Sequence, residues 1–455
     1  MLTIEIDAGG IALVTIDLAG RSMNVVDWPL ADRIATLADE LRDDPKVTGV
    51  ILTSGKRDFI AGADIAILSD VTGPEITPAA SARGVARMGG AFRRLEAIGK
   101  PVVVAAPGTA LGAGLELMLA CHYRIGARND TALFGLPEVG LGILPGAGGT
   151  QRLPRVIGIE AALPMLLTGK PISAERAHEL GLLDELVAPE DLIPAARRAL
   201  AEGRVPPAPP WDGKRFIPPG LPIDALAAFT LFTMANAGLA AHPGPAYPAS
   251  RIILSCVWEG LRLPIDKALK VEQQWFARLA VQPVTPALIA LRFYTRQRAA
   301  KAGLKRPDPE DPLAQICRAA IRREVGRLAS EGHGANRINT AALAFDLTPP
   351  PLPAAPGADR GPAGPADLAP LARRMILAAA LAVAGDAPED PDIADITATA
   401  AGGFPAWTGG PLALIDREGA GALLAEAAAS GIPIPDAVRR HTAAGTPFRP
   451  QEAPA

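Results

Sequence analysis

Strand patterns alternate with helix patterns over about the first 190 residues of this 455-residue chain. The strand patterns lie at residues 3–6, 11–16, 49–53 and 101–106, with Gly9-Gly10 as a turn between the first two. Helical spacing is carried by Leu30, Ile34, Leu37 and Leu41, and again by Val85, Met88, Phe92 and Leu95. This alternation predicts an α/β domain in which helices cover a sheet.

Beyond residue 190 the strand signals fade and helical patterns dominate, which predicts a mostly α-helical C-terminal half. Residues 349–370 contain eight prolines in 22 positions, and such a composition cannot pack a core, so it predicts a linker. The predicted organisation is an α/β domain at 1–190, a helical connecting region at 191–310, a helical unit at 311–348, the linker at 349–370 and a second helical unit at 371–455.

Charge and aromatic content argue against a nucleic-acid partner. The chain has 45 basic and 48 acidic residues, a net charge of −3, whereas binding to phosphate backbones needs clustered Lys and Arg. Three Tyr, five Trp and 11 Phe are too few for platforms on which bases stack.

The cysteines and the apolar segments indicate in which cellular compartment the protein is expected. Cys121, Cys256 and Cys317 are odd in number and far apart, so they predict neither a disulfide framework nor a metal site. The first ten residues lack the pattern of a secretory signal. The most apolar run, residues 375–384, has about half the length of a membrane span. We therefore expect a cytoplasmic protein without a membrane span.

Two segments combine small residues with carboxylates. The first is DFIAGADI at 58–65, and the second runs from GAGLE at 112–116 through LPE at 136–138 to PGAGGTQR at 145–152. Small residues at 112–114 open a helix after a buried strand, where free backbone N–H groups can bind an anion or a developing oxyanion. Glu116 and Glu138 follow closely, and a carboxylate pair beside an oxyanion hole suits proton chemistry next to a carbonyl.

Each of these features alone is common in proteins of any function, whereas their order and spacing together are specific. With FIAGADI, ALGAGLEL (110–117), FGLPEVGLGILPGAGGTQRL (134–153) and LTGKPISAERAHELGLLDELV (167–187), the chain resembles the enoyl-CoA hydratase/isomerase, or crotonase, family over residues 1–190. The resemblance implies a spiral of repeated ββα turns, in agreement with the alternation described above.

The resemblance also implies roles for individual residues. The oxyanion hole falls on the backbone N–H groups of Ala63 and Ala113, and the acid/base pair falls on Glu116 and Glu138. Glu116 is expected to activate water for attack on Cβ, and Glu138 to supply the proton to Cα. Ala113 stands where Gly is common in the family, which is compatible with the role if its backbone φ is negative.

Contacts with the acyl-CoA substrate are expected from further residues of the same motifs. These are Ala61, Gly62, Asp64, Ile65, Gly112, Pro137 and Gly146. No metal ion and no other cofactor is expected.

The region after residue 190 is similar to the multifunctional fatty acid oxidation enzymes, which fuse a hydratase to an NAD-dependent 3-hydroxyacyl-CoA dehydrogenase. The similarity lies in residues 247–298 and 402–424, and more weakly in 312–346. A dinucleotide-binding domain requires GxGxxG after a strand, and the sequence has no such motif. We therefore expect no NAD site and no dehydrogenase activity, with residues 311–348 and 371–455 as helical remnants.

Three functions remain open on the sequence. The first is an enoyl-CoA hydratase, a lyase that adds water to trans-2-enoyl-CoA thioesters in β-oxidation. The second is a delta-3-delta-2 enoyl-CoA isomerase, which needs only one proton-shuttling Glu. The third is a scaffold subunit of a β-oxidation complex with weak hydratase activity, in which the helical half binds a thiolase or a second copy of the chain.

Overall fold

The computed structural model describes residues 2–213, 216–240, 247–304, 306–348, 365–386 and 388–449. The chain forms two compact units. The first comprises Met1–Asn236 and Ala249–Gln282, and the second comprises Ala237–Pro248 and Pro283–Ala455. The predicted connecting region, 191–310, is thus divided between the two units.

The first unit contains both sheets. Its strands are β1 (Leu2–Ile6), β2 (Ile11–Ile16), β3 (Gly49–Ser54), β4 (Val102–Ala106), β5 (Ala110–Leu111), β6 (Tyr123–Ala127), β7 (Leu133–Gly135), β8 (Ile172–Ser173) and β9 (Glu185–Val187). Its helices are α1 (Trp28–Asp43), α2 (Ile65–Val71), α3 (Pro78–Glu96), α4 (Ala113–Leu119), α5 (Gly149–Thr168), α6 (Ala174–Glu179), α7 (Leu192–Ala201), α8 (Leu226–Ala240), α9 (Pro248–Gly260) and α10 (Ile265–Ala280). The last residues of α8 and the first residue of α9 are assigned to the second unit.

The larger sheet has the strand order β1-β2-β3-β4-β6-β9, and the smaller has the order β5-β7-β8. Strands β1 and β2 form the expected antiparallel hairpin, with Leu2 opposite Ile16, and every later pair in the larger sheet is parallel. Along the chain, β4 of the larger sheet is followed by β5 of the smaller sheet and then by α4. The same order recurs in β6 of the larger sheet, β7 of the smaller sheet and α5. This succession confirms the expected ββα spiral.

Helices α1 and α3 begin and bury their apolar faces as the sequence predicts. Asp27 caps α1 by accepting a hydrogen bond from the Leu30 N–H at 2.8 Å, and Thr77 caps α3 by accepting from Ala80 at 3.2 Å. All eight apolar residues that define the two predicted helical stripes are buried. Helix α10 packs against α3, so a segment far along the chain completes the first unit.

The second unit is helical throughout the part that the structure describes. Its helices are α11 (Val284–Ile289), α12 (Arg296–Lys301), α13 (Pro312–Ser330), α14 (Ala335–Ala344), α15 (Pro365–Gly385), α16 (Pro391–Ala400), α17 (Pro411–Glu418), α18 (Ala420–Ala429) and α19 (Asp436–Ala444), with a π-helical turn at Ala290–Thr295. The apolar faces of α13–α19 form one core, which includes Cys317, Ile321, Met375, Phe404 and Ile415. A smaller cluster of Leu291, Ala299 and Ile396 joins the π-helical turn, α12 and α16. Of the predicted linker, residues 349–364 lie outside the described residues, and 365–370 are the first residues of α15.

Helix α15 is more apolar over a greater length than the ten-residue run at 375–384 indicates. Residues Ala366–Gly385 form a 20-residue segment that contains an 18-residue window with a mean hydropathy of 1.5, and by length and composition alone it could cross a membrane. However, 61% of this window is buried within the protein. Met375, Ala379 and Val383 have no exposed surface, so α15 is the central helix of the second unit's core.

Candidate active site

Helices α2, α3, α4 and α10 surround a cavity of about 50 Å³ in the first unit. Ala63, Ala113, Glu116, Glu138 and Gly146 line it, so the structure brings together both predicted carboxylates and both predicted oxyanion donors. The remaining lining residues are Ile67, Leu68, Val71, Val85, Met88, Ile143, Leu144, Ala147 and Phe276. The cavity is therefore apolar except around the two glutamates, and it has room for water beside them.

Two glycine turns expose the predicted oxyanion donors. Gly112 has φ +50° and ψ −125°, and Gly62 has φ +128°, a region that favours glycine. Ala113, the first residue of α4, has a negative φ, so the alanine fits where the family commonly has glycine. Within the described ranges, neither the Ala63 N–H nor the Ala113 N–H donates a hydrogen bond to another residue. Both groups are thus free to bind an oxyanion in the cavity.

Glu116 projects from α4 and is 2% exposed. Its Oε1 accepts hydrogen bonds from the N–H groups of Ala147 and Gly149, at 2.7 and 2.8 Å. Burial raises the pKa of Glu116 to about 7, while the two N–H groups and the charge of Arg152 act in the opposite direction. The carboxylate is therefore buried, but its ionised form has two fixed donors.

Glu138 has a different environment. It lies in the short 3₁₀ turn Pro137–Leu141, and its Oε2 is buried without a hydrogen-bond partner among the described residues. Burial and the nearby negative charge of Glu116 raise the pKa of Glu138 well above its usual value. Both effects disfavour the ionised form of Glu138.

The expected acyl-CoA contacts lie next to this cavity, and most of them have a structural role in their loop. Asp64 caps α2, accepting a hydrogen bond from Ala66 N–H at 2.9 Å, and pairs with Arg21 at 2.6 Å. Ala61 N–H donates to the carbonyl of Asn24, and Ile65 is the first residue of α2. Pro137 begins the 3₁₀ turn. Gly146 is the one residue of this group that lines the cavity, and the contacts of all of them with coenzyme A stay predictions.

Two residues of α10 belong to the site, although sequence reasoning did not single them out. Phe276 lines the cavity, and Glu272 is 1% exposed and accepts hydrogen bonds from Gly148 and Thr150. Glu272 lies three residues after Leu269 and four before Phe276, on the buried face of an amphipathic helix. A lone carboxylate on such a face is the signal that could have identified it.

Arg152 and Glu96 anchor the loop behind the site. Both side chains are fully buried, and they form a two-point ion pair with distances of 2.8 and 3.0 Å. Arg152 also donates a hydrogen bond to the carbonyl of Ala147 at 2.9 Å. The position of the Ala147 N–H, and with it that of Glu116, therefore depends on this ion pair.

The chain is similar to curated proteins that are named subunits of a fatty acid oxidation complex. The chain is 36% identical over 302 residues to the fatty acid oxidation complex subunit alpha of Shewanella putrefaciens, an alignment that covers 66% of this chain and 42% of that protein. The protein of the same name from Shewanella loihica is 38% identical over 298 residues, covering 65% and 41%. This chain thus spans about two fifths of the length of the curated relatives that it matches.

Solved structures of enoyl-CoA hydratases are also similar to the chain. That from Bacillus anthracis is 24% identical with a TM-score of 0.41, covering 66% of this chain and 95% of that one. That from Mycobacterium tuberculosis is 33% identical with a TM-score of 0.37, covering 44% and 80%. The family model for enoyl-CoA hydratase/isomerase matches residues 7–204. Over these residues the chain therefore belongs to the enoyl-CoA hydratase/isomerase, or crotonase, family.

Proposed function

We propose that the first unit is an enoyl-CoA hydratase, which adds water across the double bond of trans-2-enoyl-CoA thioesters. One observation carries the proposal: two glutamates line the same cavity, and Oε1 of Glu116 accepts two backbone hydrogen bonds, whereas Oε2 of Glu138 is buried without a partner among the described residues. Pairs of carboxyl groups whose pKa values are driven apart by their surroundings divide the roles of base and acid between them.

In this proposal Glu116 is the base. Two backbone N–H groups stabilise its carboxylate, and its pKa of about 7 lies near neutral pH, where a base both ionises and accepts protons efficiently. Glu116 removes a proton from a water molecule in the cavity while the water oxygen forms a bond to Cβ of the thioester. The electron pair of the double bond moves towards the thioester oxygen and produces an enolate.

Glu138 is then the acid. Because its pKa is raised by burial and by the charge of Glu116, its carboxyl group is protonated when Glu116 is ionised. It donates this proton to Cα of the enolate, which completes the addition of one water molecule. The proton taken up by Glu116 returns to Glu138 through the next water molecule, so the pair begins another cycle unchanged.

The oxyanion donors and the apolar walls fit the same substrate. The free N–H groups of Ala63 and Ala113 would bind the thioester oxygen as its negative charge develops, and losing one such donor typically costs about 2.7–4 kcal/mol. Leu68, Val71 and Phe276 give the cavity an apolar wall that suits an acyl chain. The name of the curated relatives supports a role in fatty acid oxidation.

The test is a comparison of Glu138→Gln with Glu116→Gln in assays of crotonyl-CoA hydration and of 3-enoyl-CoA isomerisation. Both variants should lose hydration by roughly 10²–10⁴-fold, the usual contribution of a positioned acid or base. Glu160→Gln is the matched control, because Glu160 is exposed on α5. Hydration that survives in Glu138→Gln would contradict the proposal.

Isomerisation is the alternative reaction of this site, and the same two variants separate it from hydration. An isomerase moves a proton from Cα to Cγ, so a single glutamate can suffice. An isomerase would keep substantial activity in one of the two variants, whereas the proposed hydratase loses water addition in both. Association with a thiolase or with a second copy of the chain and the lack of dehydrogenase activity stay predictions. They are tested by co-purification and by NADH formation from 3-hydroxyacyl-CoA.

A further inference from the structure

Four consecutive backbone N–H groups at the start of α5 alternate between two buried carboxylates. The N–H groups of Ala147 and Gly149 donate to Glu116, at 2.7 and 2.8 Å. The intervening N–H of Gly148 and that of Thr150 donate to Glu272, at 2.6 and 2.9 Å. The hydroxyl group of Thr150 also donates a hydrogen bond to Glu272. The same loop therefore determines the position of both carboxylates.

We propose that Glu272 is a positioning residue for Glu116, holding the 147–150 loop so that the Ala147 and Gly149 N–H groups face the Glu116 carboxylate. The inference rests on the proposed function of Glu116 as the base. Glu272 does not line the cavity, so it acts through the loop and not on the substrate. It belongs to α10, beyond residues 7–204 that match the family model.

The geometry explains why a carboxylate is required at position 272. Oε1 accepts from Gly148, and Oε2 accepts from both the N–H and the hydroxyl group of Thr150, so all the neighbouring donors are satisfied. An amide could accept on one side only, and its NH₂ group would face an N–H on the other. A buried donor left without an acceptor is unfavourable, and this would displace the loop.

The two carboxylates also repel each other. Burial, and then the charge of Glu116, raise the pKa of Glu272 to about 8, while Thr150, Arg152 and the Gly148 N–H lower it. The titratable and charged groups around Glu272 are Glu116 on α4, Glu138 in the 3₁₀ turn, Arg152 and Arg155 on α5, and Cys256 on α9.

The alternation supplies a direct experiment without substrate. In a ¹H–¹⁵N NMR titration of the full chain, the Ala147 and Gly149 amide signals should follow Glu116, and those of Gly148 and Thr150 should follow Glu272. In Glu272→Gln the Ala147 and Gly149 signals should move, and their midpoint should shift to higher pH, because the two N–H groups that lower the pKa of Glu116 are displaced. Amide signals of Ala147 and Gly149 that coincide with those of the unmodified protein at every pH would overturn the proposal.

Kinetics supply the second measurement. Displacing a catalytic group by about 1 Å can cost on the order of 10²-fold in rate, so Glu272→Gln should lower kcat for hydration by that order with little change in KM. Glu259→Gln, an exposed glutamate on the neighbouring α9, is the matched control and should leave kcat unchanged. An unchanged kcat in Glu272→Gln overturns the proposal even where amide signals move.

Thr150→Val keeps the inference testable if Glu272→Gln does not fold. It removes one hydrogen bond to Glu272 and keeps the carboxylate, so the same changes should appear at smaller size, whereas Thr150→Ser retains the hydroxyl group and should behave as the unmodified protein. Unchanged Ala147 and Gly149 signals in Thr150→Val would overturn the proposal. If the unmodified protein hydrates no enoyl-CoA, the proposed function fails, while the NMR titration still decides whether Glu272 positions Glu116.

Discussion

The Glu138 carboxylate occupies the space that a side chain at Gly112 would need. A Cβ atom at residue 112 would lie 2.6 Å from Oε1 of Glu138, and the φ of +50° at this position disfavours any other residue. Gly112→Ala should therefore displace both Glu138 and the neighbouring Ala113 N–H. We expect kcat for crotonyl-CoA hydration to fall by roughly 10²-fold or more, the order found on loss of one oxyanion donor.

A control for this substitution is available on α3. Gly90 has no atom within 4 Å of a Cβ position and does not have a positive φ. Gly90→Ala should keep the activity and stabilise the helix by about 0.5–1 kcal/mol, measured by urea unfolding. Full activity of Gly112→Ala would show that the turn at 112 does not position the acid.

The rate of hydration should depend on pH through both glutamates. Since Glu116 must be ionised, kcat/KM should rise with pH and level off above about 7, the pKa of this carboxyl group. Since Glu138 must be protonated, the rate should fall again at higher pH, where this carboxyl group with a raised pKa loses its proton. Initial rates of crotonyl-CoA hydration across pH 5 to 10 measure both limbs, and a rate that is highest at the acid end would contradict the assignment.

Glu138 should also lower the stability of the fold at neutral pH. The pKa of Glu138 in the folded state is raised above 4.5, its usual value, which applies to the unfolded chain. At a pH between the unfolded-state and folded-state pKa values, the unfolded chain has lost a proton that the folded chain keeps. The free energy of unfolding therefore falls as pH rises from about 4.5 towards the folded-state pKa. Glu138→Gln removes this dependence. The Tm of the variant minus the Tm of the unmodified protein should therefore increase as pH rises from 4.5 to 8. Differential scanning calorimetry measures both Tm values, and a difference that stays constant over this pH range would contradict the prediction.

The Arg152–Glu96 pair should be important for both folding and proton transfer. Arg152→Met removes one partner of a fully buried ion pair, a change that typically costs about 3–5 kcal/mol of unfolding free energy. It also removes a positive charge that lowers the pKa of Glu116, so the acid limb of the pH–rate profile should move to higher pH. Arg176→Met, at an exposed pair with Glu179, is the control and should change neither quantity appreciably. An acid limb that stays in place would exclude the electrostatic role.

Much of the first unit could be predicted because its signals are local. The apolar spacing of Leu30 and Leu41 and the continuous run at 49–53 are properties of single elements, and they appear as α1 and β3. The sequence predicts a linker that continues to residue 370, whereas α15 begins at Pro365, within the proline-rich stretch. Burial of that helix depends on tertiary contacts within the second unit, which no local pattern contains.

For the site, sequence motifs were sufficient for residues that lie close together in the chain. Glu116 and Glu138 could be selected because glycine turns and a helix start precede them. Glu272 and Phe276 could not, because they reach the site only through the packing of α10 against α3, more than 100 positions away from the motifs. The division of pKa values between the glutamates likewise follows from burial and from the N–H donors of Ala147 and Gly149.

The cavity depends on α10, which lies beyond residues 7–204 that match the family model. The segment of the gene that must evolve as a unit is therefore longer than the family match. A recombination event that exchanged residues 7–204 alone would transfer Glu116 and Glu138 without Phe276, which forms part of the cavity wall, and without Glu272 behind the loop. Only exchanges that extend to Gln282 carry the complete first unit. Substitutions in α10 and in the 145–150 loop are therefore expected to be inherited together, as compensating pairs, even though the two segments are distant in the gene.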